Sequence, residues 1–247
     1  MDVLVEALEL LFDGSNWTGS MLDSGSILTR LWEHVFISVT SVALAIVVAL
    51  PLGLYIGHRR RFEALVINLS NVGRALPAFA VLALAYTVAL RWQISFEFWP
   101  AFIALFLLAI PPIVTNTYVG VKEVDADVVE AARGMGFSEI EVLRRIEIPL
   151  SLPLIVAGIR TSLVQVIATA TLAAITAGGN FGRFIQNGFA RQERPLILAG
   201  AILVALLAIA AELLMALVEK AVRQRSTESP DATVFDEVGL GPGVEAA

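Results

Sequence analysis

The side chains that could carry acid–base or covalent chemistry are few in this sequence, and they do not form a catalytic set. The 247 residues include no cysteine and only two histidines, His34 and His58, with no second metal ligand close to either along the chain. No Ser/His/Asp set shares a location, and the phosphate-binding pattern GxxxxGK followed by Ser or Thr is absent. We therefore expect no catalytic residue, no metal site and no cofactor, which argues against an enzyme.

Two polar side chains stand inside a long apolar segment, where they could contribute to a transport pathway. Arg160 interrupts the apolar run 148–182, and an ionisable residue at such a position is by default a candidate functional residue. It stands about two to three helical turns from the start of the run, so its side chain could instead reach the membrane surface or pair locally. Gln165 follows in the same run, where a polar group lines a pathway or packs between helices.

Three further polar residues follow the adjacent prolines Pro111 and Pro112. Proline lacks a backbone N–H and frees a carbonyl of the preceding turn, so this pair should kink or break a helix. Thr115, Asn116 and Tyr118 then either hydrogen-bond within a cavity or satisfy the broken helix. We take them, with Arg160 and Gln165, as candidate pathway residues.

The longest polar loop, residues 122–149, has the pattern of two short helices joined by a sharp turn. Asp125 or Asp127 can cap the first helix, and Glu130 stands three residues after Asp127, as a capping-box partner would. The apolar face of this helix is predicted to consist of Val128, Val129, Ala131, Ala132 and Met135.

A second helix follows the glycines of this loop. Gly134 and Gly136 permit a sharp turn that residues with a Cβ atom would resist. Ser138 and Glu141 form a capping box that opens the second helix, which Pro149 is expected to end. The apolar positions of this helix recur at i, i+3 and i+6, at Ile140, Leu143 and Ile146.

The loop therefore predicts a helix-turn-helix, or hairpin, that stands out from the rest of the protein. Small residues make its exposed turn thin enough to enter a groove in another protein; they are Ala131, Ala132, Gly134 and Gly136. The alternative is a surface hairpin that only covers the helices beneath it.

The composition indicates which kind of element must position these residues. Apolar residues make up 57% of the chain and charged residues only 16%, and the mean hydropathy is +0.78. A soluble domain is about half apolar and a quarter charged, so this composition favours an integral membrane protein. The 17 Lys and Arg against 23 Asp and Glu give a net charge of −6, which removes the case for a nucleic-acid partner.

Five apolar intervals predict the membrane spans. About 20 apolar residues cross a bilayer core as a helix, and the second interval is short by this measure. The fourth is expected to hold one helix from about Pro153 to Ala177, and Glu212 interrupts the fifth near its end. The intervals are 35–57, 75–90, 98–121, 148–182 and 195–218. The sequence thus predicts an all-α integral membrane protein with about five transmembrane helices.

The distribution of basic residues predicts how these spans are oriented. If the loop after the first span is cytoplasmic, the inside segments hold ten of the 17 Lys and Arg residues and the outside segments hold five. We therefore expect an extracytoplasmic N-terminal segment over 1–33, a transmembrane domain over 34–225 and a disordered cytoplasmic tail over 226–247. The hairpin would then be cytoplasmic.

The hairpin also carries the residues of a known signature. Glu130-Ala131-Ala132, Gly136 and Ile146-Glu147-Ile148-Pro149 follow the pattern E-A-A-x-x-x-G-x9-I-x-L-P, except that Ile148 stands where the pattern has Leu. The segment resembles the EAA loop of the permease subunits of binding-protein-dependent ABC importers. The pattern is specific because its spacing extends over about twenty residues.

This resemblance implies the fold of a type I ABC importer permease and a mechanism. In this family the loop is a coupling helix that docks in a cytoplasmic ATPase, and closure of the ATPase dimer on ATP rocks the transmembrane helices between inward-open and outward-open states. The implied partners are cytoplasmic ABC ATPase subunits, an extracytoplasmic solute-binding protein, a second permease copy or paralogue, and the lipid bilayer of a bacterial cell membrane. The implied coupling residues are Glu130, Ala131, Ala132, Gly134, Gly136, Ile146 and Pro149.

A wider resemblance narrows the solute. Residues 34–53, 116–136 and 148–174 are similar to the osmoprotectant branch of these permeases, which imports glycine betaine, carnitine, choline or related quaternary amines. Arg74 departs from the branch, whose other members often have Gln there, and residues 177–182 depart from its commoner glycine-rich form. The alternative is the same architecture serving another small solute, such as an amino acid. A membrane scaffold or an integral-membrane enzyme is disfavoured by the lack of a convergent acid–base or metal cluster.

Overall fold

Long apolar helices form most of the protein. The computed structural model describes residues 2–21, 24–61, 77–93, 98–177 and 179–227, together with residues 64, 66 and 68. Within these residues the regular elements are helices: α1 (Asp2–Phe12), α2 (Ser15–Thr18), α3 (Ile27–Arg59), α4 (Ala78–Arg91), α5 (Trp99–Lys122), α6 (Ala126–Gly134), α7 (Glu139–Val142), α8 (Ile148–Ala177), α9 (Gly182–Arg191) and α10 (Arg194–Thr227). A π-helical turn, Leu143–Glu147, joins α7 to α8.

The helices confirm the predicted all-α membrane fold. Among the described residues, α3, α5, α8 and α10 are long and apolar enough to cross a membrane, whereas α4 is apolar but shorter. Part of the predicted second span, residues 75 and 76, lies outside the described residues, as does the predicted tail from residue 228 onward. Helix α3 begins at Ile27, so the expected boundary between residues 33 and 34 falls inside one continuous helix.

Helices α3, α5 and α8 pack together at the centre of the protein. Glycines of α3 lie directly against α5: a Cβ atom at Gly53 would stand 2.7 Å from the Cβ of Thr117, and one at Gly57 would stand 2.7 Å from the Cβ of Val121. Small residues let membrane helices approach closely and gain dispersion contacts along their length. Helices α3 and α5 therefore form a tightly packed pair.

Helix α5 runs unbroken through Pro111 and Pro112, so the expected break in this helix is wrong. Pro111 is buried against the neighbouring helices. Ser162 of α8 donates a hydrogen bond to the Ala109 carbonyl (3.1 Å), and the Asn116 side chain donates to the Pro112 carbonyl (2.8 Å). The carbonyls that lose their usual donors are those of Leu107 and Leu108, so these two hydrogen bonds brace the helix beside the prolines rather than replace the lost ones. Packing against neighbouring helices is how membrane helices tolerate proline in their interior.

The expectation that Pro149 ends the second helix of the hairpin is also wrong. Helix α7, the π turn and α8 form one continuous helical segment, in which Pro149 is the second residue of α8. The Ile148 N–H bonds to the Leu143 carbonyl, five residues back. This wider turn relieves the clash that a proline ring makes with the carbonyl four residues before it.

A second apolar core lies at the opposite end of the bundle from the hairpin. Helices α1 and α9 pack there against α10, and Phe181 and Phe184 are buried between them. His34 of α3 is fully buried, with Nε2 2.9 Å from the Ile167 carbonyl oxygen and Nδ1 accepting a hydrogen bond from the Phe181 N–H (3.4 Å). This histidine therefore fixes the turn between α8 and α9.

Candidate functional site

The first helix of the predicted hairpin is present as α6. Asp125, rather than Asp127, caps it, because the Asp125 side chain accepts a hydrogen bond from the Asp127 N–H (2.9 Å). Glu130 is therefore too far along the helix to act as a capping-box partner, and that expectation is wrong. Within the described part of the chain, the exposed Glu130 carboxylate forms no hydrogen bond or ion pair.

The turn after α6 depends on Gly136. The Phe137 N–H bonds to the Ala132 carbonyl (3.2 Å) and the Gly136 N–H bonds to the Arg133 carbonyl (2.9 Å), which is the hydrogen-bond pattern of a Schellman motif. Gly136 has a φ of 87°, the left-handed conformation that this motif needs just beyond the helix. Gly134 is the last residue of α6 and has no positive φ. The predicted glycine turn is thus confirmed at Gly136.

We expect Gly136→Ala to destabilise the hairpin by about 1–2 kcal/mol, because an L-residue must then enter the left-handed region. An added Cβ atom has no neighbour within 4 Å at either Gly136 or Gly134, so steric collision contributes at neither position. Gly134→Ala is the matched control and should leave the stability unchanged or higher. Hydrogen–deuterium exchange of the hairpin in the purified protein measures the difference. Equal protection in the two variants would contradict the assigned turn.

The second helix opens at the predicted capping box. The Ser138 hydroxyl accepts a hydrogen bond from the Glu141 N–H, and the Glu141 carboxylate accepts one from the Ser138 N–H (3.1 Å). These hydrogen bonds satisfy backbone donors that the helix start would otherwise leave unpaired. The hydrogen bond from the Ser138 N–H also lowers the pKa of the Glu141 carboxyl.

The inner and outer faces of the hairpin differ from those predicted. Its small core consists of Val124, Val129, Ala132 and Val142, with Phe137 and Ile146 packed against it. Val128, Met135 and Ile140 were expected on the apolar face but are 43%, 70% and 68% exposed. Each short helix can offer only one row of side chains to so small a core, and residues one position away point elsewhere.

An exposed surface results, which we call the hairpin surface. It consists of Val128, Glu130, Ala131, Gly134, Met135, Gly136 and Ile140. Of the predicted coupling residues, Glu130, Ala131, Gly134 and Gly136 lie on it, Ala132 and Ile146 lie in or against the hairpin core, and Pro149 is exposed at the start of α8. The structure thus brings most of these residues to one protruding element.

A charged network that the sequence analysis missed joins the hairpin to the end of α3. Nδ1 of His58 lies 2.6 Å from Oε2 of Glu147, and Nε2 of His58 lies 3.2 Å from Oε2 of Glu139. Glu139 also accepts two hydrogen bonds from the Arg133 guanidinium, at 2.9 and 3.0 Å. These hydrogen bonds raise the pKa of Arg133.

The sequence alone placed no acid beside His58. Glu147 lies 89 residues away along the chain, so spacing within one motif could not reveal the contact. One signal was present in the sequence: Glu147 is an acidic residue between Ile146 and Ile148, at a position where the hairpin turns into an apolar helix.

Arg160 of α8 forms ion pairs with residues of α10 rather than with residues of its own helix. Its guanidinium donates hydrogen bonds to Glu212 and, at 2.7 Å, to Oε2 of Glu219, both on α10. These three side chains line a cavity of about 550 Å³ together with Thr161 and Gln165. The structure thus brings together the predicted pathway residues Arg160 and Gln165.

The other candidate pathway residues lie elsewhere. Asn116 packs in the contact between α5 and α8, where a Cβ atom at Gly158 would stand 2.7 Å from its own. Tyr118 is buried, and the Lys122 ammonium lies 5.5 Å from the centre of its ring. Thr115 is partly buried on the same helix. None of the three is among the residues that line the Arg160 cavity.

The outward faces of α8 and α10 differ in polarity. On α8, Thr161 and Gln165 are exposed one turn apart, beside Arg160. Between residues 206 and 218 of α10 the exposed large side chains are apolar: Leu206, Ile209, Leu213, Leu214, Leu217 and Val218. The apolar face of α10 can contact lipid tails, whereas the polar face of α8 needs water or protein beside it.

Comparison with known proteins identifies relatives along most of the chain. Residues 49–224 match the family model described as the binding-protein-dependent transport system inner membrane component. The chain is 35% identical over 206 residues to the glycine betaine/carnitine/choline transport system permease protein OpuCB of Bacillus subtilis, covering 83% of this chain and 93% of that protein. It is 38% identical over 204 residues to the carnitine transport permease protein OpuCB of Listeria monocytogenes, covering 81% and 91%.

Solved structures with the same fold are more distant in sequence. The MetNI methionine ABC transporter in inward-facing conformations aligns with a TM-score of 0.70 at 20% identity, covering 79% of this chain and 95% of that chain. An amino acid ABC transporter with histidines aligns with a TM-score of 0.63 at 19% identity, covering 78% and 92%. The family match extends from the middle of α3 almost to the end of α10. The chain therefore belongs to the binding-protein-dependent transport system inner membrane components.

Proposed function

We propose that this chain is the permease subunit of an ATP-driven ABC importer for osmoprotectants such as glycine betaine, carnitine or choline. The observation that carries the proposal is the 35% and 38% identity, over 83% and 81% of the chain, to permeases named for these solutes. The solved methionine and amino acid transporters share only the fold, at 20% and 19% identity. A permease for an amino acid is therefore the alternative.

The hairpin surface is the proposed contact with a separate ATPase subunit, which would hydrolyse the ATP. The exposed Glu130 carboxylate forms no hydrogen bond or ion pair among the described residues, and it lines a cleft with Arg59 and Arg133. It can therefore pair with a basic residue of a partner. Val128, Met135 and Ile140 are exposed apolar side chains of the same hairpin, and such side chains are found at binding surfaces. An exposed acid together with exposed apolar side chains on one hairpin suits a protein partner.

The remaining predicted coupling residues would act by holding the shape of the hairpin. Ala132 is buried in the hairpin core and Ile146 packs against that core. Gly136 provides the left-handed turn, and Gly134 adds no side chain that would keep a partner at a distance. Pro149 lies in the first turn of the long helix α8, through which a displaced hairpin would move the membrane domain.

The polar face of α8 is the proposed location of the solute pathway. Arg160, Thr161 and Gln165 would be costly against lipid tails, so we place a water-filled space or a second permease subunit there. Pairing of two subunits through this face would enclose the Arg160 cavity between them. Rocking between inward-open and outward-open states would then expose that space to each side of the membrane in turn.

The proposed orientation follows from the hairpin contact. If an ATPase binds the hairpin, that end of the bundle is cytoplasmic, and the basic residues Arg59, Arg60, Arg144 and Arg145 lie at the same end, as the positive-inside rule requires. The N-terminal segment 1–33 would then be extracytoplasmic, where a solute-binding protein delivers solute. The relatives come from Bacillus subtilis and Listeria monocytogenes, so we place the chain in a bacterial cell membrane.

Uptake by whole cells tests the proposed solute. A transport-deficient strain that expresses this chain with its ATPase and solute-binding protein should accumulate labelled glycine betaine, carnitine or choline, and a strain lacking only this chain should not. Labelled methionine, histidine and proline are the contrasting solutes. Uptake of an amino acid in place of the quaternary amines would contradict the osmoprotectant assignment. Equal uptake of every solute with and without the chain would contradict a transport function.

A further inference from the structure

The hairpin is attached through the backbone to α5 and α8. Residues 123–125 lead into it from α5, and α7 continues through the π turn into α8. Helix α3 ends at Arg59, far from the hairpin in sequence. A displacement of the hairpin therefore reaches α5 and α8 along the chain, but it reaches α3 only through non-covalent contacts.

His58 makes such a contact from the last turn of α3 to two separate parts of the hairpin. Its Nδ1 lies 2.6 Å from the carboxylate of Glu147 on the π turn, and its Nε2 lies 3.2 Å from the carboxylate of Glu139 at the start of α7. Glu139 continues the connection to Arg133 in the last turn of α6, at 2.9 Å. One imidazole thus links α3 to both helices of the hairpin.

The chemistry of these groups favours a contact that persists. Each ring nitrogen of His58 lies within hydrogen-bond distance of a different carboxylate, so the ring and the two acids hold one another in place. The Arg133 guanidinium donates two further hydrogen bonds to Glu139. Arg59, the next charged residue on α3, lies beside the same cleft and adds a further positive charge near Glu147.

The burial of the contact distinguishes it from ordinary surface pairs. The side chains of His58 and Glu147 are only 8% and 5% exposed. Separating them would leave a nearly buried carboxylate without its hydrogen-bond partner, which is strongly unfavourable. The Glu141–Arg145 pair within the second hairpin helix is longer, at 3.4 Å, and its side chains are 41% and 64% exposed, so water readily replaces it.

Gly57, the residue before His58, holds the end of α3 against α5. Gly57 lies against Val121 so closely that an added Cβ atom would stand 2.7 Å from the Val121 Cβ. The last turn of α3 therefore cannot slide freely along α5. A displacement of the His58 ring is therefore transmitted to α3 and α5 together. The π turn that carries Glu147 is a local irregularity of a kind that is common at functional sites.

We propose that His58 is a positioning residue that fastens α3 to the hairpin, so that hairpin movement driven by an ATPase is passed to the first long helix. The inference rests on the proposed coupling function of the hairpin and adds the route by which that coupling reaches α3. Loss of the connection should let the ATPase cycle without moving the membrane domain fully. Transport then falls relative to ATP hydrolysis.

The test uses the complete transporter reconstituted in proteoliposomes with its ATPase and solute-binding protein. The double variant His58→Leu/Glu147→Leu removes both buried partners together, so that neither is left buried without the other. Arg145→Gln is the matched control, because it removes an ion pair with Glu141 and a ring contact with Phe137, neither of which reaches α3. We expect the ATP hydrolysed per solute imported to rise about fivefold or more in the double variant and to stay at the wild-type value in the control.

A second variant and a second measurement guard against a folding defect. Glu139→Gln breaks the network at a half-exposed position and should raise the same ratio by a smaller factor. Because the chain has no cysteine, spin labels at Tyr55→Cys on α3 and Asp127→Cys on α6 report their separation without background from other sites of the permease. We expect a narrow distance distribution with wild-type His58 and a broadened one in the double variant.

The outcomes separate this inference from the proposed function. A wild-type transporter that imports no solute in response to ATP would contradict the proposed function itself. If the wild type couples normally, a wild-type ratio in both network variants, or a distance distribution that they leave unchanged, would overturn only the role of His58.

Discussion

Glu130→Lys is expected to abolish ATP-driven uptake while leaving the permease folded in the membrane. The Glu130 side chain is exposed and forms no hydrogen bond or ion pair among the described residues, so the change breaks no such bond and removes only a charge interaction with Arg133. At a contact with a basic partner residue it would place like charges together, which costs several kcal/mol. Each 1.4 kcal/mol is a factor of ten, so the affinity for the ATPase should fall by about a hundredfold or more.

Copurification of the ATPase with the tagged permease, together with solute uptake, measures this effect. Glu123→Lys is the control, because Glu123 is an exposed acid just after α5 that does not belong to the hairpin surface. The Glu123→Lys control should retain wild-type copurification of the ATPase and wild-type solute uptake. Wild-type copurification and uptake in Glu130→Lys would show that the ATPase does not engage the hairpin through this residue.

Arg160→Leu is expected to reduce the amount of folded permease to a small fraction of that of wild type. The change leaves the Glu212 and Glu219 carboxylates of α10 without their counter-charge inside a membrane-spanning segment. Uncompensated carboxylates are costly there, and these ion pairs join α8 to α10. Size-exclusion chromatography of detergent-solubilised protein measures the amount that remains monodisperse.

The variant Arg160→Leu/Glu212→Gln/Glu219→Gln separates stability from transport at this cluster. Removal of all three charges should restore the amount of folded protein, because no carboxylate is left unpaired. Uptake per permease should stay below that of wild type if the cavity lined by Arg160 and Gln165 belongs to the pathway. Arg160→Leu protein recovered at the wild-type level would show that these ion pairs do not hold the two helices together.

Local patterns in the sequence were enough to predict the helices and the shape of the hairpin. Apolar runs of membrane length became α3, α5, α8 and α10, because a bilayer admits few other structures. The Ser138–Glu141 capping box and the turn at Gly136 formed as predicted, since each depends on residues only a few positions apart. Such features carry their cause in the nearby sequence.

Features that depend on distant contacts could not be predicted in this way. His58 and Glu147 are 89 residues apart, and Arg160 and Glu212 are 52 apart, so neither pair shares a motif. The unbroken course of α5 through Pro111 and Pro112 similarly depends on packing against other helices. The exposed Met135 and Ile140 show that apolar character alone does not place a residue inside when the available core is small.

ATP-dependent uptake into proteoliposomes tests the central claim most directly, namely that this chain carries an osmoprotectant with energy delivered at the hairpin. The vesicles contain the permease with its ATPase, the solute-binding protein is added outside, and labelled glycine betaine, carnitine or choline is supplied. We predict concentrative uptake that requires ATP and the binding protein and is lost with Glu130→Lys. Uptake that proceeds without ATP, or at the wild-type rate in the Glu130→Lys vesicles, would contradict the claim.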